Sequence, residues 1–159
     1  MLRNLKWKPL LFSLAIPLAT GGLAAWLTRD GMKAFAALAK PPLSPPPWLF
    51  SVAWALLYVL MGLACYLVWV SDASPARRER ALTVYGVSLA VNFLWPILFF
   101  TVRARLAAFF LLLLLLVLAA LCALRFSCIS KRAGKLLIPY LVWLVFAAYL
   151  NFGVWFLNR

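Results

Sequence analysis

The sequence predicts an all-α integral membrane protein, a bundle of five transmembrane helices, and three observations carry that prediction. Of 159 residues, 67% are hydrophobic and the mean hydropathy is +1.01, far above the range of soluble globular domains. Five apolar runs, residues 10–27, 48–70, 82–102, 106–124 and 136–157, each meet the length of about 20 residues that crosses a hydrocarbon core of about 30 Å. All 16 Lys and Arg, and all three acids, Asp30, Asp72 and Glu79, fall outside those runs. Backbone groups in lipid must pair within their own segment, so the runs read as helices. Their even spread leaves no room for a separate soluble domain, which makes residues 1–159 one transmembrane domain with a lid loop at about 28–47.

The charge pattern sets the orientation. Arg3, Lys6, Lys8, Arg77, Arg78, Arg80, Arg125, Lys131, Arg132 and Lys135 lie on the N-terminal side of the bundle; Arg29, Lys33, Lys40, Arg103, Arg105 and Arg159 lie on the other. The excess leans toward a cytoplasmic N-terminus. Because membrane separates the two groups, they read as headgroup anchors, so the bilayer is the expected partner and nucleic acid is not. The first run, behind basic residues and ending in "PLATGGLAA", has features of a signal peptide, but it is expected to remain as the first helix.

Much chemistry is excluded. The chain has no histidine, which removes imidazole catalysis, His zinc sites and a His haem ligand. No ionisable Asp, Glu, Lys or Arg stands inside a run, whereas ion-coupled pumps use such groups. Cys65, Cys122 and Cys128 lack C-x-x-C spacing and read as small buried hydrophobes. No phosphate loop, activated serine or carboxylate pair is present, and neither a metal nor a cofactor is expected.

The runs differ in content. Residues 40–47 place five prolines in the seven positions 41–47, an extended strap whose last members are suited to open a helix. The second run aligns Trp54, Tyr58, Met61 or Gly62, and Cys65 on one stripe, with Trp48 and Trp69 at its two ends as interfacial anchors. In the third, Asn92 and Trp95 share a face and Pro96 predicts a bend, while Gly86 and Ala90 suit a neighbouring helix or a second protomer. A buried Asn serves equally as an interhelical tie or a ligand contact, and both readings stay open. The fourth run is nearly featureless and reads as lipid-facing scaffold. In the fifth, Trp143, Ala147 and Asn151 recur every four residues, with Tyr140 one turn earlier. Indoles, a buried amide and a small residue together are the makings of an apolar pocket with one or two orienting hydrogen bonds.

Four blocks, "KPPLSPPPW" at 40–48, "AWALLYVLMG" at 53–62 with "YLVW" at 66–69, "VNFLWPILFF" at 91–100 and "PYLVWLVFAAYLN" at 139–151, resemble the tryptophan-rich sensory protein family, bacterial relatives of the mitochondrial translocator protein or peripheral benzodiazepine receptor. The resemblance implies a five-helix fold, often a homodimer, with a pocket under the loop between helices 1 and 2, in a bacterial cell membrane rather than an organelle. It implies a porphyrin, another tetrapyrrole or a different lipophilic small molecule as ligand. Carried over residue by residue, the ligand-binding positions are Trp54, Tyr58, Asn92, Trp95, Trp143 and Ala147. The chain departs from the family at Ala34 and Phe35, where a Trp-Tyr pair is common, and at Leu43, where the loop often carries an aromatic, and no sterol motif follows Tyr149.

Three functions fit. The first is a receptor or transporter for porphyrins and similar ligands, with Lys33 or Lys40 meeting a propionate. Light-dependent porphyrin degradation is the second, with Trp54 and Trp143 as the oxidisable indoles and no other catalytic residue. The third is a ligand-free assembly module that packs through "TGGLAA" at 20–25 and the small face of helix 3.

Overall fold

A computed structural model describes residues 6–159, so Arg3 of the basic N-terminal group lies outside the described residues. The elements are α1 (Trp7–Phe35), α2 (Pro47–Trp69), α3 (Pro75–Pro96) continued by a π-helical turn (Ile97–Thr101), α4 (Arg105–Ser127), a short α5 (Lys131–Leu136) and α6 (Ile138–Leu157). Among the described residues, five helical spans are long and apolar enough to cross a membrane, with α5 and α6 forming the last. α1 packs on α2 and α3, α4 packs between α3 and α6, and the far end of α2 rests on α5.

Helix starts follow local chemistry. Pro46, with φ −63° and ψ 152°, caps α2 in an extended conformation, and Pro47 occupies its first turn, where a missing N–H costs nothing. The strap therefore opens α2, as the proline run predicts. At the other end of α2, Arg78 Nη1 donates to the carbonyls of Trp69 (3.1 Å) and Ser71 (3.3 Å), satisfying acceptors that the helix leaves open.

Two expectations need correction. The lid loop does not begin at residue 28: α1 runs on through Phe35, and the connecting segment is only 36–46. At about 1.5 Å per residue this 29-residue helix is about 43 Å long, and a helix has no reason to stop where the hydrocarbon ends. Its last turns are held by Gly31, which presses against the backbone of Phe100, and carry Asp30 between Arg29 (3.8 Å) and Lys33 (3.2 Å). The fourth span is also more than lipid-facing scaffold. Ala108, Leu112, Leu115, Ala119, Cys122 and Phe126 are buried at alternating spacings of four and three, a seam against α3 and α6. A helix apolar all round hides such a seam, because its outer face is as greasy as its inner one. Cys65 and Cys122 are buried as expected, whereas Cys128, at the end of α4, is exposed.

The α1–α2 contact depends on glycine. Pro17 lacks the N–H that would pair with the Ser13 carbonyl, and Gly62 lies against that carbonyl: an added Cβ would stand 2.7 Å from the Ser13 oxygen and 2.9 Å from Leu14 Cα. On α3, an added Cβ at Gly86 meets nothing. Gly62→Ala should therefore lower stability by about 1–3 kcal/mol through overpacking, while Gly86→Ala gains up to about 1 kcal/mol from helix propensity. Thermal midpoints of the two variants in detergent micelles should move in opposite directions.

Candidate functional site: two aromatic cavities under the lid

The stripe on α2 faces inward, burying Trp54, Tyr58, Met61, Gly62 and Cys65, while Trp48 and Trp69 remain exposed at the helix ends. Trp54 is the hub of an aromatic cluster. Its ring stacks near Trp95 (6.1 Å, 28°), lies beside Tyr58 (5.7 Å), and meets Trp143 edge-on (6.5 Å, 88°) and Tyr140 (6.4 Å). Offset and edge-on pairings at these separations suit the ring quadrupoles.

Two hydrogen-bonded amides hold this cluster. Tyr58 Oη donates to Asn92 Oδ1 and Asn92 Nδ2 donates to Tyr140 Oη, both at 2.7 Å, so one side chain ties α2, α3 and α6 together. Trp95 Nε1 donates to Asn151 Oδ1 (3.0 Å), and Asn151 Nδ2 donates to the Arg105 carbonyl (2.7 Å), joining α3 to α6 and to the first residue of α4. Polar groups without water must find such partners, and both amides are 1% exposed.

Beside these networks lie two cavities. The first, of about 300 Å³, sits among α1, α2 and α3 and is lined by Trp54, Tyr58, Asn92 and Trp95. The second, of about 430 Å³, lies at the lid end and is lined by Ala147, Asn151, Trp95 and the strap residues Lys40 and Ser44–Pro47. Met32, Phe50, Ser51, Trp95 and Phe100 line both and form their common wall.

Of the six predicted positions, five therefore line a cavity. Trp143 lines neither; it stands behind Trp54, between Phe50 (5.8 Å) and Phe146 (5.5 Å), with its indole N–H buried and without a partner among the described residues. Asn92 is an interhelical tie that also forms cavity wall. Of the two lysines, Lys40 lines the second cavity, donating to the Ala36 carbonyl (3.0 Å) with its ammonium 5.2 Å from the Phe35 ring centre, while Lys33 points outward to Asp30. Among the described residues no group of three or more His, Cys, Asp or Glu is placed to hold a metal.

Among the lining residues that sequence reasoning missed are Met32, Phe50, Phe99 and Phe100. Phe50 was within reach, one turn before Trp54 on the same stripe. Phe99 and Phe100 enter through the π-turn: after Pro96 the chain widens, with Val102 N–H bonding to the Ile97 carbonyl (2.9 Å), and both rings swing inward to meet Phe35 (5.6 and 5.4 Å). Pro96 predicts a bend but not its direction.

The lid is fastened to α6. Asn158 exchanges two hydrogen bonds with Ala39 (3.1 and 2.9 Å), Tyr149 Oη donates to the Pro42 carbonyl (2.9 Å), and Pro41 packs on Gly153, where a Cβ would come within 2.6 Å. Leu43, at the tip, is 82% exposed and in the left-handed region at φ 67°. It contributes nothing to either cavity wall.

Fold and site together define a five-span membrane protein with two aromatic-walled cavities, one of them covered by a fastened loop. The profile of the TspO/MBR family matches residues 4–156, and the chain belongs to that family. It is 38% identical over 151 residues to the translocator protein of Ovis aries, covering 94% of this chain and 89% of that one. It is 35% identical over 150 residues to the tryptophan-rich protein TspO of Archaeoglobus fulgidus (94% and 96% covered), and 34% identical over 155 residues to the tryptophan-rich sensory protein of Cereibacter sphaeroides (98% and 94% covered).

Because Asn92 is shared by two phenols, Asn92→Leu strands the buried Tyr58 hydroxyl and takes a partner from Tyr140, and should cost about 1–2 kcal/mol. Adding Tyr58→Phe removes one stranded group, so the double variant should lose less than the sum of the two single losses. Strict additivity in a thermal double-mutant cycle would show that the two side chains do not interact.

Proposed function

We propose that this protein is a membrane receptor or carrier that binds a porphyrin or a related planar lipophilic ligand in the two cavities acting as one site. The observation that carries this reading is the Trp54–Trp95 stack forming cavity wall, with Lys40, among the described residues, the one charged side chain lining either space. A flat macrocycle gains from stacking on indoles and from burial at about 25 cal/mol per Å² of apolar surface. Each cavity alone is small for a tetrapyrrole. The shared wall includes Met32, a flexible side chain suited to yield as a large ligand bridges the two. Lys40 then supplies a charge-assisted bond to a propionate at the lid end. The relatives' names, translocator and sensory protein, agree with a receptor-like or carrier role. Gly86 and Ala90 face outward on α3, the geometry that a homodimer through this helix would use.

Titration of the protein with protoporphyrin should quench tryptophan fluorescence saturably, and Trp54→Phe with Trp95→Phe should weaken binding by about tenfold or more. Lys40→Met should weaken protoporphyrin by about three- to tenfold yet leave its dimethyl ester unaffected. Quenching that never saturates would refute the site. Light-dependent degradation is a second reading, favoured by the edge contact of Trp54 with Trp143. Under illumination it requires loss of the porphyrin Soret band that depends on Trp143, and equal loss with any hydrophobic carrier excludes it.

A further inference from the structure

The first cavity has a side opening. Five of its lining residues, Leu18, Gly22 and Ala25 on α1 and Ser51 and Ala55 on α2, are exposed on the outer surface of the bundle. Four of the five are Gly, Ala or Ser, whereas the exposed neighbours Leu23, Trp26, Val52 and Leu56 are large. An added Cβ at Gly22 meets nothing within 4 Å, yet next to it Gly21 is pressed against the Tyr58 ring, and farther along the seam Gly62 is pressed against Ser13 and Leu14. The α1–α2 seam is thus tight at Gly21 and Gly62, while Gly22 faces open space at the outer edge of the cavity.

This opening lies within the hydrocarbon. Exposed Trp26 lies under the Arg29 guanidinium (5.6 Å) and exposed Trp48 opens α2, so together they mark the lid-end interface. Ala25 and Gly22 come one and four residues before Trp26, and Ser51 and Ala55 three and seven after Trp48, which sets the opening from about 2 to about 10 Å below that interface. The way in from water, by contrast, passes the lid, which Asn158, Tyr149 and Gly153 fasten to α6.

We infer that the ligand enters and leaves sideways from the bilayer, through the α1–α2 opening rimmed by Gly22, Ala25, Ser51 and Ala55, with the lid staying shut. This rests on the reading of the cavities as a ligand site. It defines the ligand class further, as a compound already partitioned into the membrane, and gives the small residues of "TGGLAA" a role other than helix association.

Stopped-flow tryptophan quenching by protoporphyrin, with the full chain in lipid nanodiscs, tests the route. Gly22→Leu with Ala55→Leu adds bulk where the surface faces lipid. It should lower the association and dissociation rates together, by about tenfold or more, with unchanged helical circular dichroism. Ala25→Leu alone should act in the same direction to a smaller degree and decides the matter if the double variant does not fold. Asn158→Ala, which loosens the lid, should keep both rates within about twofold of the unaltered protein. The inference is overturned if the doorway variants bind at unaltered rates, if they change only one of the two rates, or if Asn158→Ala accelerates both. Absence of saturable quenching in the unaltered protein would instead overturn the ligand site itself, and the doorway with it.

Discussion

Asn92 is the side chain on which the rest of the interior depends. In a hydrocarbon core an amide has no water to fall back on, and this one is satisfied by two phenols that come from different helices. A hydrogen bond of 2.7 Å has little rotational slack, so pairing Asn92 with Tyr58 and Tyr140 sets the rotation of α2, α3 and α6 about their own axes. Once those rotations are set, Trp54 is brought to Trp95 and Trp143 stands behind it. The Trp95–Asn151–Arg105 chain repeats the device nearer the lid end and extends it to α4.

Around that fixed centre the bundle is packed tightly in some places and left open in others. Gly62 and Gly21 bring α1 against α2 where a methyl group would not fit, and Gly31 seats the end of α1 on the backbone at Phe100. The π-turn after Pro96 turns Phe99 and Phe100 inward, where Phe100 joins the wall between the two cavities and Phe99 lines the second. Interiors are otherwise filled to crystal-like density, so spaces of about 300 and 430 Å³ walled by indoles are a departure that packing alone does not favour. Such spaces forfeit dispersion contacts, which the ligand proposed above would restore.

The lid and the strap divide their work. Pro46 and Pro47 fix the entry into α2, while the segment before them is bonded to α6 through Asn158 and Tyr149. Leu43 is therefore a surface residue at a tight turn, and the absence of an aromatic there leaves the cavity walls intact, since Phe35, Phe50, Phe99 and Phe100 supply the aromatic surface from the helices. The two tryptophans that follow the strap have opposite settings: Trp48 is 67% exposed and Trp54 is 9% exposed.

The sequence by itself determined the five spans, the exclusion of charges from their apolar stretches, and the inward stripe of α2. Each follows from a local rule, the apolar length needed to cross a bilayer, the cost of a charge in hydrocarbon, and the 3.6-residue period. It also marked Trp54, Asn92 and Trp95, because an amide beside indoles is conspicuous against aliphatic residues. Only the tertiary structure decided which face of α4 is buried, since Leu and Ala look alike to lipid and to a neighbouring helix. It alone placed Trp143 behind the cavity wall rather than in it, and selected Lys40 over Lys33, because those outcomes depend on helix rotation and on where the lid is fastened. The polar pairings that fix those rotations join residues 34, 48 and 56 positions apart, and no local period encodes a contact at that range.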